Sequence, residues 1–184
     1  MPQQQFEHLL HAIDSSVTVA GDRLVQLAES DPILLVFLRH AGCTFCREAL
    51  GDIARARRAI EQTGTRIVLV HMGDSEEIEQ RLEKYGLRGI DRICDPEQAL
   101  YKAFGLKRGK LRQLFHPKVF WRGFMAGLIE GHGFGRPSAD SSQMPGIFQI
   151  RNCMLVRRFR HRTAADRPDY HGICAELAEF VGQA

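Results

Sequence analysis

Two rhythms of apolar and polar residues organise this chain. Ile33-Leu34-Leu35-Val36-Phe37-Leu38 has no polar interruption, the pattern of a strand covered on both faces in a parallel or mixed sheet. Ile67-Val68-Leu69-Val70 is a second buried strand, and Arg92-Ile93-Cys94 a short third. Between the first two, Ala49, Leu50, Ile53, Ala56 and Ile60 recur at helical spacing from Thr44 to Gln62. Arg47, Glu48, Asp52, Arg55 and Arg58 take the opposite face, and Gly64 supplies a stop. Asp74 with Glu77 forms a capping box for a helix whose stripe is Ile78, Leu82 and Tyr85. Asp95-Pro96 opens another helix over Glu97–Phe104, closed by Gly105. The order strand, helix, strand, helix, strand, helix calls for a sheet with helices on its faces.

The flanks are less regular. Residues 1–30 read as leader elements: a helix near Phe6–Ile13, a strand at Val17–Val19 and a helix near Asp22–Glu29. From 107 to 135 large apolar residues crowd together, Phe120, Trp121 and Phe124 among them, with His116-Pro117 as a break. This predicts a helical insertion whose aromatic trio packs on the sheet, lines a site or forms a dimer face, and a loop then runs to residue 143. The glycines at Gly131, Gly133 and Gly135 follow a helix instead of linking a strand to one, so they do not make a dinucleotide site. Beyond Met144-Pro145-Gly146, Ile147–Ile150 and Met154–Phe159 form a hairpin about Arg151-Asn152, and Ile173, Leu177 and Val181 line a closing helix. The whole of 1–184 reads as one α/β domain.

Composition narrows the function. Of 184 residues, 44% are hydrophobic and 26% charged, ordinary for a globular protein. A net charge of +3 without aromatic residues interleaved over a broad basic face argues against nucleic acid. The run Arg157–Arg162 reads as the solvated edge of a hairpin. No stretch reaches 18 apolar residues, and the start has neither the basic head nor the apolar core of a signal peptide. The expectation is a cytoplasmic protein without membrane contact. In a reducing compartment, five cysteines are not a disulfide framework.

The pair Cys43-Thr44-Phe45-Cys46 carries the chemistry. It sits between a strand and a helix, where unpaired N–H groups and the positive end of the helix dipole favour thiolate over thiol. At a spacing of three, both sulfurs share one face of a turn and can close a disulfide. Cys43 is expected to be the more exposed, while Arg47, following Cys46, supplies a cation that lowers a thiol pKa if it folds back. The bland alternative is two small apolar residues in a core. A zinc site lacks a second ligand pair, so neither metal nor cofactor is expected. Cys94 and Cys174 are expected in the core. Cys153, after the hairpin turn, is the one of these three expected near the surface, and Arg162 and Arg167 are candidates to assist a thiolate that the sequence does not place.

The pair at a strand-to-helix junction, the intervening β/α unit, Met-Pro-Gly before a hairpin and a closing helix together resemble the thioredoxin fold. Within it, His40-Ala41-Gly42-Cys43-Thr44-Phe45-Cys46-Arg47-Glu48 looks most like the peroxiredoxin-like AhpC/TSA group, including SelL- and SelU-related proteins. The resemblance implies a thioredoxin-like mixed sheet flanked by helices. It also implies a thiol oxidoreductase in which Cys43 and Cys46 react, with Thr44, Arg47, Met144 and Pro145 in support. In that fold the proline facing the dithiol is cis, so Met144–Pro145 is expected cis. Typical peroxiredoxins carry Thr or Ser three residues before the reacting cysteine and Pro seven before it. Counting from Cys46, those positions hold Cys43 and Arg39, which leaves peroxide reduction and disulfide exchange as rivals. Thioredoxin or glutathione is the implied reductant, and a homodimer is open. The alternative reading is a redox sensor or interaction module switched by the same disulfide.

Overall fold

The computed structural model describes residues 3–39, 44–109, 142–161, 163 and 166–174. Helix α1 (Gln3–Ser15) and the short α2 (Leu24–Ser30) precede β1 (Ile33–Phe37). Then follow α3 (Thr44–Gln62), β2 (Arg66–His71), α4 (Ser75–Lys84), β3 (Asp91–Cys94), α5 (Ala99–Ala103), β4 (Gly146–Arg151) and β5 (Met154–Arg160). Residues 170–174 are again helical. The strand expected at Val17–Val19 shrinks to a single bridge between Val17 and Arg23. The expected insertion lies almost entirely outside the described residues, as do His116 and the trio Phe120, Trp121 and Phe124.

The strands form one mixed sheet in the order β3-β2-β1-β4-β5. β1 pairs in parallel with β2, β2 with β3, and β4 runs antiparallel to β1 and β5. β1 is buried at all five positions because both faces are covered. On one face Leu35 and Phe37 meet Leu9 and Ile13 of α1 and Leu100 and Tyr101 of α5. On the other, Leu34 and Val36 meet Leu50, Ile53 and Ile60 of α3 and Ile78 and Leu82 of α4. The apolar stripes read from the sequence are the ones that seat α3 and α4 here. Phe37 also stands edge-on to Tyr101 and Phe148, with ring centres 4.9 and 5.5 Å away.

The β4–β5 turn is Asn152-Cys153, one residue later than expected, and both residues have positive φ, 48° and 57°. That is the backbone a two-residue hairpin requires. At the other end of the hairpin, Gly146 pairs with Arg160. A Cβ at Gly146 would come within 2.6 Å of Leu106 Cδ2, so a larger residue where the loop enters β4 requires the Leu106 side chain to shift.

Candidate active site

The site lies at the carboxyl end of β1. Leu38 still donates its N–H to the Val70 carbonyl at 2.9 Å, and Arg39 then leaves the sheet. The Arg39 backbone N–H donates to Cys46 Sγ at 3.1 Å. Its side chain turns the other way, Nε donating to the Gln143 carbonyl at 3.1 Å. Arg39 is only 7% exposed, so this residue joins the start of α3 to the loop ahead of β4. Gln143, also buried, donates from Nε2 to the carbonyls of Leu106 at 3.3 Å and Met144 at 3.2 Å. The Met144 N–H donates to the Lys107 carbonyl at 3.3 Å.

Cys46 is the third residue of α3 and 5% exposed. It therefore sits in the first turn, where backbone N–H groups lack partners within the helix and the dipole end is positive. An N–H bond to the sulfur at a helix start is a setting in which reactive thiols occur. Cys46 borders a small cavity of about 20 Å³, room for a molecule of about the size of water. Val36, Phe45, Ala49 and Pro145 form apolar walls, and Arg39, Glu48, Asp52, His161, Asp166 and Arg167 bring charge or polarity.

The polar wall is organised. Arg167 grips Asp52 with both arms of its guanidinium, at 2.6 Å from Nε and 2.5 Å from Nη2, and stands 3.5 Å from Glu48. The Asp166 carboxylate accepts from the Thr163 N–H at 3.1 Å and hydroxyl at 2.7 Å. His161 follows β5 directly; because Gly146 pairs with Arg160, it comes beside Pro145. Burial pushes its imidazole down to about 4, with the Arg39 charge adding to that and Asp166 opposing it. Burial likewise holds the Tyr170 hydroxyl well above its usual range, helped by the charges of Asp52, Cys46 and Glu48.

The structure brings together Cys46, Pro145 and Arg167, with Met144 buried beside them and Thr44 half-buried at the helix start. Cys43, His40 and Arg162 lie outside the described residues. Several expectations are corrected. Met144–Pro145 is trans, since the described residues contain no cis peptide bond. Arg47 and Glu48 are buried, not on the outer face, because the first turn of α3 tucks under the segment that carries Arg167 and Tyr170. The Arg47 charge acts on the Tyr85 hydroxyl, lowering a pKa that burial raises. Cys94 is exposed, not core: it is the last residue of an edge strand, its Sγ 3.7 Å from the Gly73 carbonyl. Cys174 is buried as expected, and Cys153 is half-buried.

Arg39, Glu48, Asp52, Gln143, His161, Asp166 and Tyr170 are members that sequence reasoning did not assign to the site. The hairpin spacing carried a signal for His161, because a strand that pairs back to Gly146 must end beside Pro145. Among the described residues, no group of three or more His, Cys, Asp or Glu side chains is placed to hold a metal ion. No described helix is long and apolar enough to cross a membrane.

Comparison with known proteins agrees with this geometry. The profile of the AhpC/TSA antioxidant enzyme family matches residues 52–164, beginning inside α3 just past Cys46. Human peroxiredoxin-like 2C is 28% identical over 78 residues, 42% of this chain and 34% of the relative. The match thus spans about a third of the length of that relative. Among solved structures, reduced Prx3 from Vibrio vulnificus in complex with hydrogen peroxide superposes with a TM-score of 0.65 at 11% identity. That superposition covers 93% of this chain and 94% of the other. A secreted Mycobacterium tuberculosis disulfide oxidoreductase homologous to E. coli DsbE gives 0.52 at 13% identity, covering 97% and 98%. These likenesses establish a thioredoxin-type fold.

Proposed function

The chain belongs to the AhpC/TSA antioxidant enzyme family, and from that premise we propose that it is a thiol oxidoreductase which cycles Cys46 with Cys43 to reduce a peroxide or a disulfide. The observation that carries this reading is the setting of Cys46: a buried sulfur in the first turn of α3, holding the Arg39 N–H and bordering a small cavity. In this reading Thr44 and Arg47, within that turn, and Met144 and Pro145, in the loop ahead of β4, support the thiol.

With a hydroperoxide, the Cys46 thiolate attacks the terminal oxygen and the O–O bond breaks. Sulfur is oxidised to sulfenic acid, and the leaving oxyanion takes a proton to become an alcohol or water. The Cys43 thiolate then attacks the sulfenic sulfur, water leaves, and an intramolecular disulfide closes before further oxidation. With a disulfide substrate, Cys46 attacks one sulfur, the other leaves as thiolate, and Cys43 displaces the mixed disulfide. Either way two electrons are owed to an external reductant, in a cytoplasmic setting thioredoxin or glutathione.

The test is stopped-flow oxidation of the pre-reduced chain by hydrogen peroxide and by a small disulfide, with Cys43→Ser and Cys46→Ser alongside. The expected result is a rate with at least one oxidant far above that of free cysteine, abolished by Cys46→Ser. In Cys43→Ser the first oxidation survives and the intramolecular disulfide does not form. Rates no better than free cysteine with both oxidants sink the reading. Repeated turnover with a coupled reductant separates an enzyme from a one-shot sensor.

A further inference from the structure

The sheet ends in two unlike edges. At β3 the outer edge is covered, the Val19 N–H donating to the Arg92 carbonyl at 2.8 Å. Its charges are paired as well, Asp91 with Arg66 at 3.2 Å and Arg92 with Glu79 at 2.5 Å. At β5 no described strand lies beyond, and none of its seven residues is buried. Arg158 and Arg160 hold no ion pair among the described residues. The outward backbone groups of such a strand are a template for a further strand.

Two chemistries run along this edge. The ladder to β4 skips Val156, since Ile150 pairs with Leu155 and Gln149 with Arg157. Up to that point the edge is apolar: Met154, 59% exposed, and Leu155 line an open groove of about 350 Å³ with Phe6, itself 44% exposed. Past it the edge is cationic. Arg158 pairs across to Phe148, and the Arg160 guanidinium stands 6.0 Å from the Phe148 ring and donates to the Phe104 carbonyl at 2.8 Å. Next to Phe104, Lys102 and Lys107 line a second open groove with Gly105, against a single carboxylate in its wall, Glu97. Neither lysine holds an ion pair among the described residues. A second copy paired antiparallel along β5 would bring three arginines from each chain together, which opposes self-pairing. The same charges favour an acidic strand.

We propose that β5 is a docking edge for an extended, acidic segment of a partner protein, added as a sixth strand antiparallel to Arg157–Arg160. Its carboxylates lie against Arg158, Arg160 and Lys107, and an aliphatic side chain that follows them enters the groove beside Phe6. Antiparallel pairing is what β5 already makes with β4, and it is the commoner kind. A segment so placed begins beside Arg160, whose neighbour His161 lines the Cys46 cavity, so the partner is held at the rim of that site. The proposal stands on the sheet edge and does not depend on the redox reading of Cys46.

The test titrates the full-length chain into a fluorescein-labelled peptide of three glutamate–valine pairs followed by leucine, read by fluorescence polarisation. Saturable binding is expected, weakened at least tenfold when Arg158→Glu and Lys107→Glu are combined and at least tenfold when lysine replaces glutamate in the peptide. Two further peptides carry N-methyl groups on alternate residues, one on the odd set and one on the even. Only one set of N–H groups in an added strand faces β5, so one of these peptides is expected to lose binding and the other to keep it. This comparison uses the unaltered chain and decides the matter even if the charge-reversed variant misfolds. No binding of the parent peptide, or equal binding of both methylated peptides, overturns the proposal. So does an edge that leaves the peptide free and takes up a single-stranded oligothymidylate or phosphatidylserine vesicles instead.

Discussion

Arg167 is the side chain that fastens the end of the described chain to the site helix. Its fork meets both oxygens of Asp52 and its charge reaches Glu48, which is only 4% exposed. A forked contact between guanidinium and carboxylate fixes geometry as well as charge, and charged hydrogen bonds of this kind are stronger than neutral ones. Removing the cation takes one countercharge from the buried Glu48 and the forked contact from Asp52, which keeps Arg55, a more costly change than loss of an ordinary surface pair. Arg167→Ala is expected to lower the unfolding free energy by about 2 kcal/mol, measured by urea denaturation. Arg167→Lys should recover less than half, because an ammonium cannot make the fork. A loss below about 0.5 kcal/mol, the range of an ordinary surface substitution, contradicts this account.

Among the elements, α5 shows how a short helix is set by its cap more than by its length. The sequence places its start at Glu97, but Gln98 adopts a left-handed φ of 59° and the helix begins at Ala99. Asp95 is nonetheless the cap: its carboxylate accepts from the N–H groups of Ala99 and Leu100, both at 2.9 Å, and of Tyr101 at 3.3 Å. Tyr101 then reaches across to donate its hydroxyl to the Val70 carbonyl at 3.1 Å and to that of Leu38, at the strand ends that carry the site. Asp95→Ala should cost about 1–2 kcal/mol by the usual scale of a lost cap, read as a lowered thermal midpoint; a variant that melts with the wild type would show the cap to be idle. The same element marks what a sequence can reveal. Long stripes such as those of α3 and α4 were legible because burial of one face leaves a 3.6-residue signature. A five-residue helix leaves too few positions for a period, and its start is decided by one backbone angle. The site divides in the same way. The place of Cys46 at a helix start and the loop ahead of the hairpin could be read from spacing, while Arg39 and the Gln143 carbonyl meet across 104 residues, a contact made by sheet order and not by any local pattern. Cys94 was misjudged for a related reason: an apolar neighbour suggests core, but an edge strand loses its cover at its last residue.

Taken whole, the molecule is a sheet covered on both faces, and the cover traps ionisable groups in their neutral forms. His71, fully buried between β1 and β3, bonds to the Gly73 carbonyl at 3.1 Å and is held below its ordinary pKa by burial. His161 is pushed down to about 4. In the unfolded chain both imidazoles take up a proton near pH 6.5, so below that pH the unfolded state binds protons that the fold refuses. Their stabilising contribution is complete above about pH 7 and is lost as the pH falls toward the folded values. For His161 alone the loss between pH 7 and pH 5 is about 2 kcal/mol. At the alkaline end the sign reverses. Burial pushes the Cys174 thiol from 9.0 up to about 11, so the unfolded chain releases a proton that the fold retains, and stability falls as the pH rises from 9 toward 11. Urea unfolding across this range should therefore show a plateau between about pH 7 and 8.5 with a decline on either side. His161→Phe should remove much of the acid slope between pH 7 and 5, and Cys174→Ala much of the slope above pH 9. If His161→Phe parallels the wild type through pH 7 to 5, the imidazole takes up its proton as freely in the fold as in the unfolded chain, and its burial as a neutral acceptor is wrong.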